Sequence, residues 1–114
     1  MFSKITSMGV LGINAYKVEV ETNLATGLPS FDIVGLPDAA VKESRDRVRA
    51  AMKNSGFQFP VNKITVNLAP ADRKKEGAAY DLPITVAILE ASEQIPANST
   101  KGCAFLGELS LDGE

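Results

Sequence analysis

Polar and apolar residues alternate through Asn14–Thr22, with Tyr16, Val18 and Val20 on one side and Lys17, Glu19 and Glu21 on the other. A period of two predicts a strand with one buried and one wet face. Lys63–Leu68 repeats the pattern, with Ile64, Val66 and Leu68 inward. Ser30–Gly35 predicts a shorter strand with Phe31 and Ile33 on one face, bracketed by the breakers Gly27-Leu28-Pro29 and Gly35-Leu36-Pro37. Phe2–Leu11 predicts another strand, in which Gly9 and Gly12 permit a bend or turn.

The period changes after Pro37. Asp38 is placed to cap a helix, because its carboxylate can accept from the free amides of the first turn. Val41, Val48 and Met52, flanked by Ala40, Ser44 and Ala51, form the core-facing stripe. Gly56 predicts the stop and Phe57 a fold back onto the last turn. Asp81 is placed to cap a second helix, Leu82–Glu93, apolar over most of its surface and thus central to the core. Pro83 fits its first turn, where amides have no intrahelical partner. After a loop at Pro96–Thr100, Cys103–Leu111 predicts a last strand, with Cys103 a small buried residue. The order predicts an α+β, two-layer domain, a mixed sheet with helices on one face.

The 114 residues suffice for one domain and one core. No apolar run approaches the ~20 residues of a membrane span. The N-terminus lacks the apolar stretch of a signal peptide, so a cytoplasmic location and no membrane partner are expected. Histidine is absent, which removes Ser-His-Asp and Cys-His chemistry. The single cysteine permits no internal disulfide and no closed zinc site.

Charge changes the picture more than composition does. Residues 42–75 carry nine cations against three carboxylates, whereas residues 76–114 carry one cation against seven. That asymmetry predicts a basic face and an acidic face. At ~100° per residue, Lys42, Arg45, Arg49 and Lys53 fall within an arc of about 80° beside the apolar stripe. Four cations on one helical flank can follow phosphates, or simply be solvated. Arg73-Lys74-Lys75 in a glycine-bearing loop offers a second contact for nucleic acid or an acidic partner. The G-x-x-x-x-G-K-[ST] phosphate loop is absent, so no nucleotide cofactor is expected in these residues. A Ser-Lys pair is the one histidine-free serine mechanism to weigh, and no serine lies in the loop before the second helix.

Five phrases carry a resemblance: Gly35-Leu36-Pro37-Asp38, Glu43-Ser44-Arg45, Asn54-Ser55-Gly56-Phe57, Asn67-Leu68-Ala69-Pro70-Ala71-Asp72 and Gly107-Glu108-Leu109-Ser110-Leu111-Asp112-Gly113. With them the chain resembles the N-terminal domain of magnesium-chelatase-like AAA+ ATPases of the competence ComM (YifB) family. The resemblance implies a Lon-protease C-terminal-like fold, also described as ribosomal protein domain 2-like. The Lon loop reads Lys-Asp-Gly-Pro-Ser, with the serine as nucleophile. Matched onto Lys75-Glu76-Gly77-Ala78-Ala79, it puts Ala79 at the nucleophile position, so no catalytic residue is expected. The Lon lysine would fall beyond Glu114.

The resemblance further implies that residues 1–114 form a single domain cut from a longer chain. An AAA+ module binding ATP and Mg2+ would follow. It also implies a hexameric ring acting in DNA branch migration during natural transformation. The expected function is that of a non-catalytic accessory domain. Its expected partners are its own AAA+ module, neighbouring subunits of the ring, and single- or double-stranded DNA. Alternatives are a protein-interaction module of a magnesium-chelatase-type subunit, a subunit acting on porphyrin, and, remotely, a Lon-like peptidase.

Overall fold

Side-chain alternation sets the sheet. The computed structural model describes residues 1–11 and 13–114, Leu11 by its backbone alone. Its strands are β1 (Phe2–Leu11), β2 (Asn14–Ala25), β3 (Ser30–Val34) and β4 (Lys63–Ala69), and its helices are α1 (Ala39–Lys42), α2 (Ser44–Asn54) and α3 (Asp81–Ala91). They form one mixed sheet in the order β1-β2-β4-β3, antiparallel except for the parallel β3–β4 pair. Cross-strand registry gathers the apolar positions onto one face. Ile5 lies opposite Val20, which lies opposite Leu68. Thr22, Val66 and Ile33 form the next row, and Leu24, Ile64 and Phe31 the one after it. α3 lies across β1 and β2, and α2 packs on α3 and beside β3. Val48 and Met52 of α2 and Ile84 and Ile88 of α3 close the core over that face. This is the two-layer α+β arrangement expected from the sequence.

The predicted helix start and stop are found. Asp38 Oδ1 accepts from Val41 N at 2.8 Å. At the far end Gly56 takes φ +86°, the left-handed conformation that glycine adopts without strain. Phe57 N donates to Met52 O at 2.9 Å and Gly56 N to Lys53 O at 3.2 Å, the paired bonds of a Schellman stop. Between these ends the helix is interrupted at Glu43. The break leaves Ser44 at the start of α2, buried and facing α3.

Four expectations are corrected. β1 runs unbroken through Gly9, which pairs with Tyr16, so no turn occurs there; Gly12 lies outside the described residues. Asp81 does not cap α3: it is the first helical residue, and its carboxylate is turned into the protein. Cys103–Leu111 is not a strand. Its one bridge joins Ala104 to Thr6, after which Gly107 N turns to Ala79 O at 2.8 Å and Leu82 N to Gly107 O at 2.9 Å. Backbone groups at the entrance of α3 thus compete for the segment and draw it off the sheet. Cys103 is exposed, because it leaves the turn at Thr100 before that bridge forms.

The segment is held by a buried cluster. Asp81 is fully buried and accepts from Arg47 Nε at 2.6 Å, Arg47 Nη2 at 3.1 Å and Leu109 N at 3.0 Å, together with the Ser44 hydroxyl. Such a bidentate pair is stable in the interior only with its remaining lone pairs occupied. Asp81 holds the Arg47 guanidinium above its ordinary range. Glu43, one helical turn before Arg47, makes a longer contact with it at 3.8 Å.

Candidate binding cleft

The loop between β4 and α3 begins where β4 leaves the sheet and folds back over the β3–α1 turn. Lys75 N donates to Leu36 O at 2.9 Å, and Lys75 O accepts from Asp38 N at 3.0 Å. Asp38 also receives Gly77 N on its second carboxylate oxygen, at 3.2 Å. One aspartate therefore starts α1 and anchors the loop. The backbone clasp carries the Lys75 side chain inward. Lys75 is fully buried, and its Nζ donates to Gly35 O at 2.9 Å and to Pro70 O. Burial pushes the ammonium below the usual lysine range. Lys75 thus departs from the exposed basic loop expected of it: it ties two backbone turns together and presents no charge outside.

Arg73 and Lys74 stay at the surface. They line a cleft of about 640 Å³ with Met8, Gly9, Val10, Tyr16, Glu76, Ala79, Tyr80 and Leu106. Its architecture rests on the Gly9–Tyr16 pair. A Cβ at Gly9 would meet Tyr16 Cζ at 2.5 Å, so only glycine lets the ring lie across β1. The ring supports the Arg73 guanidinium 4.8 Å from its centroid, and its hydroxyl donates to Lys74 O at 3.3 Å. Burial, with Tyr16 nearby, pushes the Tyr80 phenol up to about 12. Ala79, at the nucleophile position implied by the resemblance, lines this cleft. No serine, threonine or cysteine is among its described lining residues.

The four helical cations lie elsewhere, along the β3 side of the molecule. Lys42 and Lys53 are exposed. Arg45 is half-buried and spends its donors on backbone: Nε to Lys42 O at 3.1 Å and Nη1 to Phe31 O at 3.4 Å. Arg49 lies over the Phe59 ring, 5.0 Å from its centroid. Lys42 and Arg45 line a shallow hollow with Asp32 and Thr65, and Arg49 and Lys53 line another with Phe59 and Asn62. The two basic groups predicted from sequence thus line different cavities.

Sequence reasoning missed Tyr16, Met8, Val10 and Leu106 as cleft residues, and the Arg47–Asp81 pair. Tyr16 carried a usable signal, since an aromatic directly across from a strand glycine covers its bare backbone. The ion pair carried none, because 34 residues separate its members.

Residues 20–114 match the family described as subunit ChlI of Mg-chelatase. The chain is 51% identical to the uncharacterized protein YifB of Escherichia coli over 97% of its own length, and 51% identical to YifB of Salmonella typhimurium over 96%. It is 47% identical to the competence protein ComM of Haemophilus influenzae over 96%. It spans 22% of the length of each of these relatives.

Proposed function

Because this chain belongs to the family of the magnesium-chelatase subunit ChlI, we propose that it is a non-catalytic accessory domain of a longer, cytoplasmic ATPase of the ComM type. In this proposal the AAA+ module, elsewhere in the longer protein, binds ATP and Mg2+ and turns a hexameric ring. The domain assists assembly of that ring or guides DNA through it during branch migration. The observation that carries the non-catalytic part is the cleft at Ala79. Its described lining offers no hydroxyl or thiol nucleophile apart from the two tyrosines, and burial holds the Tyr80 phenol neutral. Lys75, the lysine nearest in sequence, spends its Nζ protons on Gly35 O and Pro70 O.

Support for DNA guidance comes from the β3 side, where Lys42 at the end of α1 and Arg45, Arg49 and Lys53 of α2 line two shallow hollows. Arg45 and Arg49 are partly engaged by the protein itself, so among the described residues Lys42 and Lys53 are its free charges. The test is fluorescence anisotropy of labelled single- and double-stranded DNA on the intact protein across salt. Each lost phosphate contact lowers the salt slope by about one. Lys42→Glu with Lys53→Glu is expected to weaken both DNAs and flatten that slope. An unchanged slope refutes guidance by this flank and leaves ring assembly as the role.

A further inference from the structure

The edge of the sheet beside the cleft is open. Met1 and Leu24 exchange both backbone bonds, Met1 N to Leu24 O at 3.1 Å and Leu24 N to Met1 O at 2.8 Å. In an antiparallel ladder such pairs recur at every second residue. Ser3, Ile5, Ser7 and Gly9 therefore bond to β2, and Lys4, Thr6, Met8 and Val10 turn their N–H and C=O groups outward. Thr6 O accepts from Phe105 N at 2.9 Å, consistent with that alternation. Past Phe105 the covering segment swings away to Ala79 and Leu82. Among the described residues, no group bonds the outward N–H and C=O of Met8 and Val10. The gap left by the departing segment is the 640 Å³ cleft.

We propose that this edge and its cleft receive an extended polypeptide segment carrying acidic side chains, added as a strand beside Met8 and Val10. Alternating donors and acceptors along an edge match another polypeptide backbone. A nucleic-acid backbone matches them poorly, because its phosphates offer no donors to the two carbonyls. The flanking walls suit alternate side chains. Val10 is 75% exposed and Leu106 55% exposed, so each presents apolar surface to the cleft mouth. Arg73 and Lys74 outweigh the single carboxylate of Glu76 on the lining, which selects an acidic segment. This inference goes beyond DNA guidance by the β3 flank and stands independently of it.

The test uses the intact protein and a fluorescein-labelled hexapeptide of alternating valine and glutamate, read by anisotropy. Arg73→Glu with Lys74→Glu is expected to lower its affinity at least tenfold, and replacing its glutamates by lysine to do the same. Val10→Pro removes the outward N–H without breaking a β2 bond and is expected to lower affinity at least tenfold. Backbone N-methylation of the peptide tests the same bonds on the unaltered protein and is expected to abolish binding. Unchanged binding of the N-methylated peptide overturns the proposal. So does absence of peptide binding at millimolar concentration, or a single-stranded oligonucleotide that displaces the peptide and itself depends on Arg73 and Lys74.

Discussion

The two edges of this sheet are finished differently. The β3 edge is five residues long, and Arg45 donates to its Phe31 carbonyl at 3.4 Å. Phe59 packs at a tilt against Phe31 with ring centroids 5.5 Å apart, and Arg49 covers Phe59 in turn. The β1 edge is ten residues long, and its one bridge outside β2 among the described residues joins Thr6 to Ala104. An open edge invites pairing, and a short, arginine-covered one discourages it. The contrast teaches that cations near a strand do opposite work. Arg45 occupies a carbonyl at one edge, whereas Arg73 and Lys74 line the opening at the other.

The largest expected effect comes from the cluster that draws the covering segment off β1. Asp81→Ala leaves the half-buried Arg47 guanidinium, the buried Ser44 hydroxyl and the Leu109 amide without their shared acceptor. Loss of one partner of a buried pair costs about 3–5 kcal/mol, and urea unfolding is expected to show a loss of that size. Adding Arg47→Ala is expected to cost less than the sum of the single changes, because the uncompensated charge is then gone. Strict additivity would mean that the pair does not hold the segment.

Proline substitutions sharpen the comparison along β1 itself. Ser7→Pro breaks a bond to β2 and is expected to cost about 3 kcal/mol, whereas Val10→Pro is expected to cost less than about 1 kcal/mol. Equal losses in thermal unfolding would show that both faces of β1 are already paired.

The alkaline limb reports on the Tyr80 side of the cleft. The fold favours the neutral phenol, whose pKa rises from 10.0 to about 12. That contribution is intact below pH 10 and is lost as the pH climbs towards 12. Lys75 has the opposite sign: burial lowers it, so the fold gains as the pH rises towards 10.5, and no further change from it follows. Between pH 10.5 and 12 the wild type is expected to lose about 1.5 kcal/mol more than Tyr80→Phe. Parallel curves would remove Tyr80 from the buried lining. The smallest effect is at the other edge, where Arg45→Ala is expected to cost about 1 kcal/mol, the net worth of its backbone bonds, in the same unfolding assay.

What the sequence disclosed follows the range of the interactions involved. The β2 and β4 alternation, the Asp38 cap and the Gly56 stop are local, and each lies where its residues predict. Asp81 looked like a cap because capping is the short-range use of an aspartate before an apolar helix. Its actual partners, Arg47 and Leu109, are remote in sequence. The same holds for Lys75, whose burial depends on the Gly35 carbonyl 40 residues away. Phe105–Leu111 alternates like a strand, but alternation does not say whether a segment stays on its neighbour, and this one meets β1 at Thr6 and then turns to Ala79 and Leu82. The cleft at Ala79 was half legible. The resemblance located its loop, while its other wall, from Met8 to Tyr16, depended on how β1 and β2 end.

Site-resolved amide hydrogen exchange of β1, with and without the valine–glutamate peptide, tests most directly whether this edge is held open for a partner. Slow exchange is expected at Ser7 and Gly9 throughout. Met8 and Val10 are predicted to exchange fast in the free protein and at least tenfold more slowly at saturating peptide. Protection of Met8 and Val10 equal to that of Ser7 and Gly9 in the free protein, or no change on adding peptide, would contradict this expectation.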